Sequence, residues 1–180
     1  GFRECWGISV IHCPYCHGYE YSNNKTGIIA NGDTAFEMGK LISNWTKELI
    51  IFTNGVSTLT SEQTSKLNKH NISIIESEIS HFEHTRGEIE NIAFKNGVKE
   101  NIKVIYARPK FEQHCTIPIF LGCELTEQNH LKVDVFQKTT IHGIFACGDN
   151  ANMMRSVAQA VASGNMAGAM VNRELIEEEF

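Results

Sequence analysis

The chain has 180 residues, 42% of them apolar and 21% charged, with 16 Lys+Arg against 21 Asp+Glu for a net charge of −5. That balance excludes intrinsic disorder, collagen and a disulfide-stapled miniprotein, and it lacks the excess of base that an electrostatic nucleic-acid footprint needs. No run approaches the roughly 18 consecutive apolar residues of a membrane span, so neither a membrane nor a nucleic acid is an expected partner. The chain begins at Gly1 with no leader, and we read it as a piece of a longer protein.

Residues 1–26 are expected to be irregular and to carry the sequence His12-Cys13-Pro14-Tyr15-Cys16-His17. Gly27–Ala30 reads as a short apolar strand and Asn31-Gly32 as a turn. Thr34 with Glu37 reads as a capping box opening a helix to about Trp45. Leu49–Phe52 is a second buried strand, closed by Asn54-Gly55. Strand, glycine turn, helix and strand make a βαβ unit, with a right-handed crossover and a parallel pair expected.

A polar helix follows near Thr60–His70 and a strand at Ile72–Ile75. Ile79–His84, Ile89–Lys95 and Val98–Ala107 read as three antiparallel strands, turned by Arg86-Gly87 and Asn96-Gly97. Arg108-Pro109 breaks the last strand and reads as a linker. Leu131–Phe136 and Gly143–Cys147 are predicted strands. A helix is predicted from about Ala151 to Glu178, with Met154, Val157, Ala158, Val161, Met170 and Val171 at helical spacing.

Six cysteines stand at positions 5, 13, 16, 115, 123 and 147. Four are scattered in apolar segments, where free Cys commonly behaves as a small buried hydrophobe. One special pair in a cytosolic compartment is the expectation, rather than a secreted disulfide framework. Cys13 and Cys16 can close a small disulfide ring. At a helix start the first thiol ionises readily, and the flanking His12 and His17 can carry the accompanying proton. Three alternatives stay open from the residues alone: haem attachment at Cys-x-x-Cys-His, zinc held by His12, Cys13, Cys16 and His17, or an inert thiol pair. Cys-Pro-Tyr-Cys is also similar to the glutaredoxin motif, but Gly18 and Ser22-Asn23-Asn24 interrupt the long helix a glutaredoxin would need.

Ala30-Asn31-Gly32-Asp33-Thr34-Ala35 approximates the dinucleotide fingerprint Gly-x-Gly-x-x-Gly/Ala. Gly32 takes the place where backbone approaches a pyrophosphate, and Ala35 permits close helix–strand packing. Ala30 replaces the first glycine. Phe52-Thr53-Asn54 at the end of the second strand offers neither a carboxylate for a ribose hydroxyl nor an arginine for a 2′-phosphate. The third signal is Gly143-Ile144-Phe145-Ala146-Cys147-Gly148-Asp149-Asn150 ahead of a helix. It places one carboxylate, Asp149, where it could bind a polyol hydroxyl.

Together, in this order, the three signals resemble the low-molecular-weight thioredoxin reductases, FAD-dependent pyridine nucleotide-disulfide oxidoreductases, over essentially the whole chain. The resemblance implies an α/β fold: a Rossmann-like nucleotide-binding domain with an antiparallel β-meander at 1–108, carrying the redox pair, and the C-terminal half of a second, FAD-binding Rossmann-like domain at 109–180. The N-terminal half of that FAD domain is absent from these residues. Carried over by position, Cys16 would face the flavin and Cys13 would exchange with the partner disulfide. Gly32, Asp33, Thr34 and Ala35 would line the nucleotide turn. Gly148, Asp149, Val157 and Ala158 would lie along the flavin.

His17 stands where these enzymes usually have Asp, and Phe52-Thr53-Asn54 where they usually have His-Arg-Arg. Both departures resemble the branch of gliotoxin oxidase and related dithiol oxidases, which use FAD and oxygen without NADPH. The implied function is flavin-linked exchange of electrons between Cys13–Cys16 and an external dithiol or disulfide. The cofactors would be FAD and, with weaker support, NADPH or NADH. The partner would be a thioredoxin-like protein or a small dithiol/disulfide, and the full-length protein would be a homodimer.

Overall fold

The computed structural model describes residues 1–180, which divide into two compact units, Gly1–Pro109 and Lys110–Phe180.

The first unit is built on a five-stranded, all-parallel sheet. Its strands are β1 (Val10–Ile11), β2 (Thr26–Ile29), β3 (Leu49–Phe52), β4 (Ser73–Ile75) and β8 (Val104–Ala107), in the spatial order β1-β8-β2-β3-β4. β3 and β8 are buried at every position, which is why each reads as an unbroken apolar run. The expected βαβ unit is β2, the helix α3 (Gly32–Ile42) and β3, paired in parallel with Gly27 opposite Ile50. A second, antiparallel sheet is formed by β5 (Ile79–Thr85), β6 (Glu88–Phe94) and β7 (Lys99–Asn101). The helix α4 (Ser61–Lys69) starts from a full capping box, Thr60 with Gln63.

One face of the parallel sheet joins the antiparallel sheet in a cluster around Phe52, Phe82, Ile92, Phe94 and Ile105. The other face packs Ile11, Ile28, Ile51 and Tyr106 against Ala35, Met38 and Ile42 of α3.

Several sequence readings are corrected. Val98–Ala107 is not one strand: Lys99–Asn101 pairs with β6, whereas Val104–Ala107 crosses to the centre of the parallel sheet between β1 and β2. Residues 1–26 are ordered rather than irregular, holding α1 (Phe2–Cys5), β1 and α2 (Pro14–His17). The cap of α3 is Asn31, whose side chain accepts from Gly32 N, so Thr34 lies inside the first turn, and the helix ends at Ile42. The capping-box pattern at 34–37 lost to a competing cap three residues earlier.

The second unit contains α5 (Ile117–Phe120), a 3-10 turn (Gly148–Asn150) and α6 (Val157–Glu179). Leu131–Phe136 and Gly143–Cys147 do not form strands. They make only single bridges, Leu125 with Leu131 and Lys138 with Phe145, because no neighbouring strand extends the ladder. α6 begins at Val157 rather than near Ala151, capped by the Ser156 hydroxyl accepting from Gln159 N at 3.1 Å. No helix is long and apolar enough to cross a membrane.

Candidate functional site

β1 delivers the chain to Cys13, which caps α2 in an extended conformation (φ −135°, ψ 117°), with Pro14 as the first helical residue. Proline suits that place because its missing N–H would have no partner there. The turn closes by bonds from Cys16 N and His17 N to Cys13 O, both 3.3 Å, and from Gly18 N to Pro14 O at 2.7 Å. A Cβ on Gly18 would stand 2.3 Å from Pro14 O and 2.6 Å from the Trp45 ring nitrogen, so only glycine lets the turn end beneath Trp45. α2 is a single turn. The thiolate-favouring helix start expected from sequence therefore reduces to few aligned peptide units.

All six cysteines are free thiols. Cys13 is half-buried and Cys16 exposed, one at the start of the α2 turn and one within it. The neighbouring Cys13 first, and burial second, push the Cys16 thiol up, which favours its protonated form. Of the scattered four, Cys5 and Cys123 are buried as expected, Cys147 is half-buried, and Cys115 is exposed on a loop against expectation.

His12 stacks on Trp6 at 6.1 Å between ring centres, and His17 ends α2 in solvent. Tyr15, 77% exposed, meets the Trp45 ring edge-on at 5.6 Å. The zinc alternative finds no support: the only side chains that converge as three possible ion ligands are His142, Glu174 and Glu178, and His12, Cys13, Cys16 and His17 do not.

Sequence reasoning missed Tyr106. It lies in β8 beside β1, opposite Ile11. Burial pushes its phenol up to about 12, with the Cys13 thiolate charge the next cause and Glu20 and Tyr21 behind it. The signal that could have found it is strand register, which no local motif contains.

At the glycine turn, Gly32 adopts φ +56° as the first residue of α3. The Asn31 carboxamide fills the turn. Its oxygen accepts from Gly32 N at 2.9 Å and Thr58 N at 2.8 Å, and its nitrogen donates to Val56 O at 2.9 Å. A Cβ on Gly32 would lie 2.8 Å from Thr58 Oγ1, so the space over the glycine is occupied as well. Asp33 accepts from Gln63 Nε2 at 2.7 Å, Thr34 is exposed and Ala35 is buried against the sheet. Beyond β3, the Thr53 hydroxyl donates to Gly55 O and Asn54 Oδ1 accepts from Ile79 N.

In the second unit Gly148 (φ +79°) donates its N–H to Ser163 Oγ at 3.0 Å, which ties the 3-10 turn to α6. Asp149 is exposed in that turn, ahead of the loop 151–156, and is not the helix cap. Val157 and Ala158 open α6, both exposed, with N–H groups among those a helix leaves without an internal partner.

Residues 19–164 match the pyridine nucleotide-disulphide oxidoreductase family. The chain belongs to that family. It is 27% identical over 186 residues to the thioredoxin reductase tcpT of Claviceps purpurea, covering 99% of this chain and 58% of that protein. It is 28% identical over 186 residues to the thioredoxin reductase sirT of Leptosphaeria maculans, covering 96% and 57%. Among solved structures it superposes on a putative thioredoxin reductase TrxB of Bacillus anthracis with TM-score 0.91 and 28% identity, over 100% of this chain and 61% of that one. An oxidoreductase of Agrobacterium tumefaciens gives 0.87 and 32%, over 98% and 59%. The chain thus spans under two thirds of the length of the relatives it matches.

The family implies FAD and a pyridine nucleotide, and the two fit these residues differently. The exposed Asp149 carboxylate and the open first turn of α6 suit the hydroxyls and a ring oxygen of a flavin. A nicotinamide dinucleotide does not fit the glycine turn: the Gly32 donor and the space above it are taken by Asn31 and Thr58, and β3 ends without a group for the ribose or its phosphate.

Proposed function

We propose that the full-length protein is a flavin-linked thiol–disulfide oxidoreductase. In this reading residues 1–108 carry the redox pair on a nucleotide-binding-like domain, and residues 109–180 are the C-terminal half of the flavin domain. The observation that carries it is the pair of free, solvent-reachable thiols Cys13 and Cys16 on one helical turn. An external thiolate attacks the Cys13 sulfur of the disulfide; the bond to Cys16 breaks, and Cys16 leaves with the electron pair and takes up a proton. The second external thiolate attacks the mixed disulfide and releases Cys13. The external pair is then oxidised and the protein pair reduced by two electrons. His12 and His17, at either side of the pair, accept the protons of the incoming thiols. FAD, when bound along Gly148, Asp149, Val157 and Ala158, supplies the two-electron acceptor that restores the disulfide.

The filled glycine turn favours a second reading of direction. Dioxygen, rather than NADPH-driven reduction, closes the cycle as terminal acceptor, leaving as hydrogen peroxide with two electrons and two protons. The external pair is then a small dithiol or a thioredoxin-like protein in its dithiol form. Cys13→Ser and Cys16→Ser in the full-length protein are each expected to abolish dithiol turnover, and retained activity in either defeats the proposal. Rapid mixing sets the direction: the visible flavin band should bleach with a dithiol, whereas rapid bleaching by NADPH rejects the oxidase.

A further inference from the structure

We propose that His142, Glu174 and Glu178 form a zinc site in the second unit, one that clamps the turn 139–144 onto the last turns of α6. The site is separate from the thiol pair and goes beyond the proposed reaction.

Local sequence builds the geometry. Glu174 and Glu178 stand four residues apart on α6, so their side chains lie one above the other on one face. His142 sits in a tight turn closed by the bonds from Thr139 N to Ile144 O at 2.9 Å and from Ile144 N to Ile141 O at 3.2 Å. Within that turn the Thr139 hydroxyl donates to Ile141 O and accepts from Ile141 N. The turn brings the imidazole to both carboxylates. His142 Nε2 lies 3.2 Å from Glu174 Oε1 and 3.6 Å from Glu178 Oε1, and the three ligand atoms are all within 4.8 Å of one another.

A tetrahedral ion needs spacings of this size. Zinc bonds of about 2.0–2.2 Å to imidazole nitrogen and carboxylate oxygen set neighbouring ligands roughly 3.3–3.6 Å apart. The two imidazole–carboxylate edges are already close to that value, and a rotation of the exposed Glu178 side chain closes the third. One imidazole with two carboxylates suits zinc, whereas calcium and magnesium prefer oxygen alone. Three protein ligands leave a fourth position for water.

The surroundings support the same ion. Glu174 is the anchor, its side chain only 11% exposed. Its other oxygen, Oε2, accepts from Lys138 Nζ, and that ammonium also lies over the Phe145 ring at 5.7 Å. Ligating carboxylates are commonly held by such an outer hydrogen bond, which here leaves Oε1 for the metal. Lys138 balances one carboxylate, and Arg173 is spent on Glu177. Beside a neutral imidazole, Glu178 is therefore a negative charge without a counterion, and a dication supplies one. The apolar residue that α6 buries, Ala167, lies well before Glu174, so the clamp would hold an end of the helix that no core holds.

The test is titration of the full-length protein with zinc chloride after iodoacetamide has capped its accessible thiols, so that sulfur does not compete. Elemental analysis after dialysis should find one zinc per chain, and the ring protons of His142 should shift in the NMR spectrum. His142→Ala and Glu178→Gln alter side chains that are 78% and 52% exposed, so both variants should fold. Each should weaken zinc binding at least about tenfold. His70→Ala, at an exposed histidine ending α4, should leave it in place. Zinc should also raise the thermal midpoint of the parent protein, and not that of His142→Ala. Retention of no zinc by the capped protein, equal affinity in the parent and His142→Ala, or displacement of the zinc by equimolar calcium or magnesium overturns the proposal. None of these results bears on whether Cys13 and Cys16 cycle.

Discussion

In the first unit α3 turns Ala35, Met38, Gly39 and Ile42 inward over a sheet whose strands β3 and β8 are buried at every position. In the second, α6 has 23 residues and buries only Ser163 and Ala167. Its Val157 is 82% exposed and Val161 57%. Both helices show apolar residues at helical spacing, but a stripe becomes a core only where another layer meets it. The second unit's own cluster is small, centred on Cys123, Leu131 and Ala146.

The contrast is open to attack in three places. The largest effect is expected in the first core. Ile51→Ala, at a fully buried site, should cost roughly 2–5 kcal/mol in urea unfolding of the 180-residue chain, and Val161→Ala less than about 0.5. Comparable losses at the two positions would erase the distinction. Next comes Gly18→Ala, where the added carbon meets Pro14 O and Trp45. It should cost roughly 1–3 kcal/mol and displace Cys16, read as a changed alkylation rate at that thiol.

The smallest effects concern pH, and the two units should fail at opposite ends. His130 in the second unit is buried with neither ring nitrogen hydrogen-bonded, and it stacks on Phe111 at 4.5 Å with the Arg155 guanidinium over that ring. Burial first, and the Arg155 charge second, hold its pKa below the usual histidine value. The unfolded chain therefore binds the proton more readily, and stability present above about pH 6.5 falls on acidification, by at most about 1.4 kcal/mol per pH unit for one proton. Tyr106 in the first unit is raised to about 12. Its contribution is complete below the unfolded value near 10 and disappears as pH rises through the folded one. Hydrogen exchange resolved by residue should show α6 and the 130s loosening first in mild acid, and β8 and β1 first in alkali. His130→Leu should flatten the acid slope; a slope that persists would locate the titrating group elsewhere.

Much of the first unit was legible because its signals are local. Asn31-Gly32 followed by periodic apolar residues marks the β2–α3–β3 unit, and Arg86-Gly87 marks the β5–β6 hairpin. The path of Val104–Ala107 was not, because its partners Val10 and Thr26 lie far back in the chain and nothing local distinguishes a meander strand from a central one. In the second unit β-branched runs such as Leu131–Phe136 look like strands, but pairing needs a neighbour that those residues do not provide. The thiol pair announced itself by spacing. Tyr106 did not, since its place beside the pair depends on a register that only the assembled sheet defines. The Asn31 plug was half legible: the missing nucleotide ligands after β3 could be read, but not the reach of residues 56–58 back to the turn.

Ser9 sits immediately before β1 with no exposed surface. Its hydroxyl donates to Gly87 O at 2.5 Å and accepts from Ile89 N at 3.0 Å, across the hairpin of the small sheet. This one oxygen pins the root of the sulfur-bearing segment to the neighbouring hairpin. The stretch that bears the sulfurs is thereby anchored, through a single side chain, to a sheet other than its own.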